Sequence, residues 1–164
     1  MSGQDTSTGG QAIELNLSSS PRCLPVVRAA TEKMARLVGF DEDQTGRITL
    51  SIDEALANVI KHGYGGRQDQ PITVRLEPVD DQRGAGLTVT IRDFGKQVDP
   101  AKIRSRDLAD VRPGGLGVHI IQTVMDEVVY SHADGGGMKL RMVKYVDPQT
   151  TDTPGGAPSP PAKD

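Results

Sequence analysis

The sequence predicts an α+β fold, a two-layer sandwich in which one mixed or antiparallel sheet is covered on one face by three helices. Three observations predict it. Five short segments alternate apolar and polar residues, as half-buried strands do. Three others repeat their apolar residues at helical spacing. Their order, β-α-α-β-β-loop-α-β-β, leaves one sheet with an apolar face that three amphipathic helices on the same side would cover.

The first strand is Ala12–Ser18, where Ile13, Leu15 and Leu17 alternate with polar residues. Ser20-Pro21 opens the first helix, with Leu24, Val27, Ala30, Met34 and Leu37 on its apolar side. Pro25 implies that its regular part begins late, and Gly39 ends it. Asp41 caps the second helix, which stops at Gly63-Tyr-Gly-Gly66. Ile72, Val74 and Leu76 mark the second strand, and Leu87, Val89 and Ile91 the third, with Asp81–Gly86 as the turn between them. A loop with only short helical stretches follows from Lys96 to Arg112. The third helix starts in Gly114-Gly-Leu-Gly117 and buries Val118, Ile121, Val124 and Met125. Val128–His132 and Met138–Val146 are the last strands, joined through Gly135-Gly-Gly137. Residues 1–11 and 147–164 are small, polar or Pro/Gly-rich without apolar periodicity and read as disordered tails, which leaves 12–146 as one domain.

Composition narrows the function classes. The net charge is −3 with interspersed signs, there is no Trp, and only two Phe are present. Neither a basic surface nor stacking platforms for nucleic acid are therefore expected. The longest apolar runs fall far short of the ~20 residues that span a membrane. The first ten residues have neither a basic start nor an apolar stretch, so no secretory signal is expected there. Cys23 is the single cysteine, which suits a reducing, cytoplasmic compartment.

Within the second helix Ser51, Glu54, Asn58 and His62 form a polar stripe beside the apolar face of Ile48, Ile52, Ala55, Leu56 and Val59. Such a stripe is either the wet side of an ordinary helix or a set of groups addressing one ligand. Two further features favour a ligand. Asp93-x-Gly95 follows a strand, where a carboxylate can accept the amine of adenine while the bare glycine lets the ring approach. Gly114-Gly-Leu-Gly117 opens a helix whose free N–H groups suit phosphate oxygens. Asn58 offers a hard oxygen for Mg²⁺, and Glu54, one turn earlier, a base for an attacking hydroxyl or water. His62 can hydrogen-bond near the phosphates or cap its own helix. His119 can sit under the Lys96–Arg112 loop or serve a packing or surface role. Arg104, Arg106 and Arg112 can reach a γ-phosphate but, like Lys96, read as solvated loop residues.

With these motifs in place the chain resembles the GHKL ATPases, the Bergerat-fold superfamily of gyrase, histidine kinases and MutL. Within it, the chain is most similar to the anti-sigma factor serine kinases. Glu54-Ala-Leu-Ala-Asn58-Val-Ile-Lys-His62-Gly-Tyr looks like the N box, Arg92-Asp93-Phe-Gly95 the G1 box and Gly114-Gly-Leu-Gly117-Val-His119 the G2 box. The likeness covers residues 12–146. It implies an anti-sigma factor with ATP- and Mg²⁺-dependent serine/threonine kinase activity. Glu54 would be the base, Asn58 the Mg²⁺ ligand, and Asp93 with Gly95 the adenine site, while Gly114, Gly115, Leu116 and Gly117 would cradle phosphate. The implied partners are a sigma factor, a STAS-type anti-sigma factor antagonist as substrate, and a second copy of the chain in a homodimer. The alternative is an ATP-binding switch module that captures a partner with little or no phosphotransfer. One departure bears on this. Gln97 stands where the superfamily often has a second G1 glycine, and its side chain either crowds the nucleotide or points outward.

Overall fold

The structure, a computed structural model, describes residues 11–103 and 115–147. The expected tails fall outside that range except for Gln11 and Asp147. The strands are β1 (Ile13–Ser18), β2 (Pro71–Asp81), β3 (Gly84–Asp93), β4 (Glu127–His132) and β5 (Met138–Tyr145). The helices are α1 (Leu24–Val38), α2 (Glu42–Asn58) and α3 (Leu116–Val124). The sheet order is β1-β2-β3-β5-β4 and every pairing is antiparallel, so the sheet is not mixed.

Register explains the two faces. Leu15, Val74, Ile91, Leu140 and Tyr130 stand opposite one another across all five strands. Directly opposite residues share a face, so this row points into the core together with Leu76, Val89 and Met142, all fully buried. On the same side α2 lies between α1 and α3, and its Ile48, Ile52, Ala55 and Leu56 are buried. The other face carries the row Glu14, Arg75, Thr90 and Arg141.

Local chemistry sets the ends of the elements. Asp41 Oδ1 accepts the Gln44 N–H at 2.8 Å while the Gln44 side chain accepts the Asp41 N–H, a reciprocal capping box. A short 3₁₀ turn, Pro21–Cys23, precedes α1 and delays its regular part to Leu24. At its other end Gly39 adopts φ 113° and turns Phe40 into the core at 4% exposure. Leu37 is 70% exposed, against its expected apolar role.

Three boundaries differ from the sequence reading. The turn expected at Asp81–Gly86 shrinks to Gln82-Arg83, because pairing continues to Asp81 opposite Gly84, whose φ of 102° suits glycine. Pro78 is accommodated inside β2 because β1 pairing ends at Leu76, which leaves that side of Pro78 without a ladder to feed. Lastly, α2 does not stop cleanly. It runs into a π-helical turn, Val59–Gly63, in which the Tyr64 N–H reaches Val59 O at 3.0 Å. Of the expected loop, Pro100–Lys102 is a 3₁₀ turn, while Arg104, Arg106 and Arg112, and with them Gly114 of the helix-opening motif, lie outside the described residues.

Candidate functional site

The site forms where the end of α2, the end of β3 and the start of α3 converge. A cavity of about 450 Å³ opens there, walled by Ala55, Val59, Ile91, Val118, Met138 and Leu140. Asn58, His62, Asp93, Lys96, Lys102 and Tyr130 add polar groups to its lining. A largely apolar slot with a few converging polar groups suits a planar heteroaromatic ligand.

Asp93 is the last residue of β3 and points to the core side, in the same register row as Ile72. It is 4% exposed. Burial pushes its carboxyl above the usual carboxylate range, against the opposing pull of the Gly95 and Met138 N–H groups and Arg92. Both N–H groups fall on Oδ1, at 2.9 Å from Gly95 and 3.4 Å from Met138. Among the described residues nothing bonds Oδ2. A buried carboxylate with one oxygen held by backbone and one open is ready to accept an N–H from a ligand.

The glycines are placed by contact. A Cβ on Gly95 would run into the Gly63 carbonyl, and one on Gly137, where φ is 76°, into the Asp93 carbonyl. These glycines let the G1 turn lie flat against the end of α2 and the β4–β5 hairpin. A Cβ on Gly117 would stand 2.6 Å from Glu54 Oε2 and 3.5 Å from Asn58 Nδ2. Glu54 and Asn58, one turn apart on α2, therefore both face the first turn of α3. That turn has no side-chain cap, and its N-cap is Gly115. Its leading N–H groups have no helical partners, which fits an anion. Leu116, in that turn, is 62% exposed.

Other expected residues fare differently. Ser51 is fully buried and its hydroxyl turns back to Arg47 O at 3.0 Å, so it leaves the polar stripe. His62 sits in the π-helical turn and lines the cavity. His119 is partly buried on α3, away from the cavity lining. The Gln97 side chain donates to Gly137 O at 3.2 Å, which directs it to the hairpin and not into the cavity.

Sequence reasoning set Lys96 aside as a solvated loop residue and passed over Lys102, yet both reach the cavity. It also missed Tyr130, whose phenol burial pushes up to about 12, and took Tyr64 only as the end of the N box, although its hydroxyl accepts the Phe94 N–H at 2.7 Å. The alternation of β4 and β5 could have placed Tyr130, Met138 and Leu140 on the Asp93 side, since all share one face of the sheet.

For ATP the residues present fit, with an apolar slot, an open carboxylate oxygen and an uncapped helix start. For Mg²⁺ the fit rests on the Asn58 amide together with phosphates. Among the described residues no cluster of three or more His, Cys, Asp or Glu could hold a metal by itself. Nor is any helix among them long and apolar enough to cross a membrane.

Residues 17–144 match the family model described as histidine kinase-like ATPase domain. The chain is 26% identical over 155 residues to serine-protein kinase RsbW of Bacillus velezensis, covering 89% of this chain and 92% of that protein. It is 27% identical over 144 residues to serine-protein kinase RsbW of Listeria innocua, with 82% and 87% covered. For serine-protein kinase RsbW of Bacillus subtilis the values are 25% over 150 residues, with 85% and 89% covered. A crystal structure of the RsbU and RsbW domains of a Mycobacterium tuberculosis protein superposes with a TM-score of 0.53 at 15% identity. That match covers 82% of this chain and only 31% of the longer one, and it bears on the fold alone.

Proposed function

The chain belongs to the histidine kinase-like ATPase domain family, and from that premise we propose that it is an anti-sigma factor with ATP-dependent serine/threonine-protein kinase activity. Its substrate is a serine or threonine on an anti-sigma factor antagonist of the STAS type. One observation carries this reading: Glu54 and Asn58 face the Gly117 turn of α3 beside a cavity that holds a buried carboxylate with an open oxygen. Adenine binding alone would need only Asp93. A carboxylate on the phosphate side of the pocket supports phosphotransfer as well.

Each residue then has a task. Asp93 Oδ2 accepts the exocyclic amine of adenine, and Gly95 lets the ring approach. The backbone of Gly114, Gly115, Leu116 and Gly117 cradles phosphate oxygens. Asn58 holds Mg²⁺, which when bound supplies charge neutralisation at the phosphates. Glu54 takes the proton of the incoming serine or threonine hydroxyl. Lys96 and Lys102 add positive charge at the cavity. Partner exchange follows from the product. A phosphorylated antagonist is released, and the kinase is left to hold its sigma factor. A homodimer and a cytoplasmic setting complete the proposal, with the domain spanning 12–146.

The test is incubation of the protein with ATP, Mg²⁺ and a STAS-type antagonist from the same organism, read by intact mass. Addition of one phosphate to the antagonist is expected, with release of the product from the complex. If a stable complex forms in ATP but the antagonist mass never changes, the protein is a switch module without phosphotransfer.

A further inference from the structure

Tyr64 is nearly buried at 7% exposure and lies thirty residues from the turn it serves. Its hydroxyl donates to Pro71 O at 2.5 Å and accepts the Phe94 N–H at 2.7 Å. The next N–H, of Gly95, goes to Asp93 Oδ1 at 2.9 Å, and the one after, of Lys96, goes to Gly63 O at 3.0 Å. Three consecutive amides of the G1 turn are thus each fixed, and two of the three partners come from the Gly63-Tyr64 pair. Gly63 also lies beside the carboxylate, since a Cβ there would be in ordinary contact with Asp93 Oδ1 at 3.7 Å.

The π-helical turn is what brings Tyr64 to that position. Counted as regular α-helix from Leu56, residue 64 would point about 80° away from the buried stripe. A π turn takes one extra residue, which rotates the following side chain back by about 100°, onto the core side. The unusual end of α2 and the orientation of Asp93 are therefore one arrangement.

We propose that Tyr64 is a positioning residue for base selectivity, its phenol holding the Asp93-Phe94-Gly95 turn so that the open Asp93 oxygen meets a 6-amino purine. The inference rests on the reading of the cavity as an ATP site. It asks more of that site than binding. A purine with a 6-carbonyl offers the carboxylate an acceptor in place of a donor, so a rigid turn rejects it and a loosened turn does so less. Tyr64→Phe keeps the ring and strips both the Phe94 N–H and the Pro71 carbonyl of a partner.

The experiment measures ATP and ITP dissociation constants by calorimetry for the wild type, Tyr64→Phe and Asp93→Asn. The wild type should prefer ATP. Tyr64→Phe should weaken ATP by about 10-fold, the worth of a lost buried hydrogen bond, while ITP changes less and the preference shrinks. Asp93→Asn should abolish the preference. A purely structural role for Tyr64 would lower both affinities equally, and that result overturns the inference. So does a wild-type preference that survives intact in Tyr64→Phe. If the wild type binds neither nucleotide, the ATP-site reading fails first and takes this inference with it. Should Tyr64→Phe not fold, 4-fluorophenylalanine at position 64 fills the space of the hydroxyl without donating, and the same ratio is read there. 4-Aminophenylalanine, which keeps a donor and an acceptor, should restore the preference.

Discussion

The two ends of the sheet handle charge by opposite rules. At the β2–β3 hairpin end Asp81, Arg83, Glu127 and Arg141 form a surface network around the buried ring of Tyr145. Arg83 and Arg141 both pair with Glu127, and the Tyr145 hydroxyl donates to Asp81 Oδ2 at 2.8 Å. At the other end Asp93 is buried, held by backbone N–H groups on one oxygen only. The consequences have opposite signs. Hydrogen bonds from the Arg83 N–H and Tyr145 hold the Asp81 carboxyl below its usual range, and those from Arg141 and Arg83 do the same for Glu127. Burial holds Asp93 above it. The hairpin end is built for the folded state itself. The Asp93 end carries a charge that the empty fold would be better without, which is what a site kept ready for a ligand looks like.

The largest effect that would break this contrast is catalytic. Glu54→Gln should bind nucleotide as the wild type does and lose phosphotransfer by roughly 10²–10⁴-fold, the usual worth of a general base. Wild-type phosphotransfer rates in a single-turnover assay would remove Glu54 from the mechanism.

Gly117→Ala comes next. Its Cβ would meet Glu54 Oε2 at 2.6 Å, so the carboxylate has to move. A displacement of that kind should reduce phosphotransfer by about 10–100-fold. Unchanged kinetics would mean that the Glu54 position is not critical.

Asp93→Asn should weaken ATP by about 1–3 kcal/mol in calorimetry. Its effect on the empty protein separates the two ends more sharply. Because the folded carboxyl is raised, the stability it contributes is present below the ordinary Asp range and is lost as pH rises through the folded value. At neutral pH the ionised Asp93 opposes folding, and Asp93→Asn should melt higher than the wild type without nucleotide. That advantage should vanish as pH falls below the ordinary carboxylate range. A variant that melts lower at pH 7 would show the charge to be stabilising, and the contrast would collapse.

The smallest effect belongs to the hairpin end. Glu127→Gln should lower the melting midpoint slightly, in a salt-sensitive way, with nucleotide binding untouched, as exposed ion pairs do. Here the sign runs the other way. The folded carboxyl is depressed, so its contribution holds above the ordinary Glu range and is lost as pH falls through the folded value. Altered ATP affinity in Glu127→Gln would mean that the two ends are coupled.

Periodicity and capping made the helices and strands legible in the sequence, because Ile48, Ile52 and Leu56 or Val74 and Leu76 repeat at intervals that only one structure satisfies. Asp93, Gly95 and Gly117 were legible as motif members, since each lies where a strand ends or a helix begins. What could not be read was long-range. Gln97 to Gly137, Tyr64 to Phe94 and His132 to Val98 are hydrogen bonds across 30 to 40 residues, with no local pattern to announce them. The π-helical turn was hidden as well. Its residues, Val59-Ile-Lys-His-Gly63, are ordinary helix formers until the glycine, and the extra residue is accommodated by packing, not by propensity.

The chain has no Trp and three Tyr, and the fold distributes them unevenly. Tyr130 lines the cavity, Tyr64 grips the turn that carries Asp93, and Tyr145 stands at the far end of the sheet under the Arg83 guanidinium. The ultraviolet emission of this protein therefore comes from two phenols at the site and one remote from it. A base entering the cavity would change the surroundings of Tyr130, the phenol that lines it, while Tyr145 lies away from it. Tyrosine emission, unmasked by any Trp, is thus the native signal in which occupancy of the cavity would be sought.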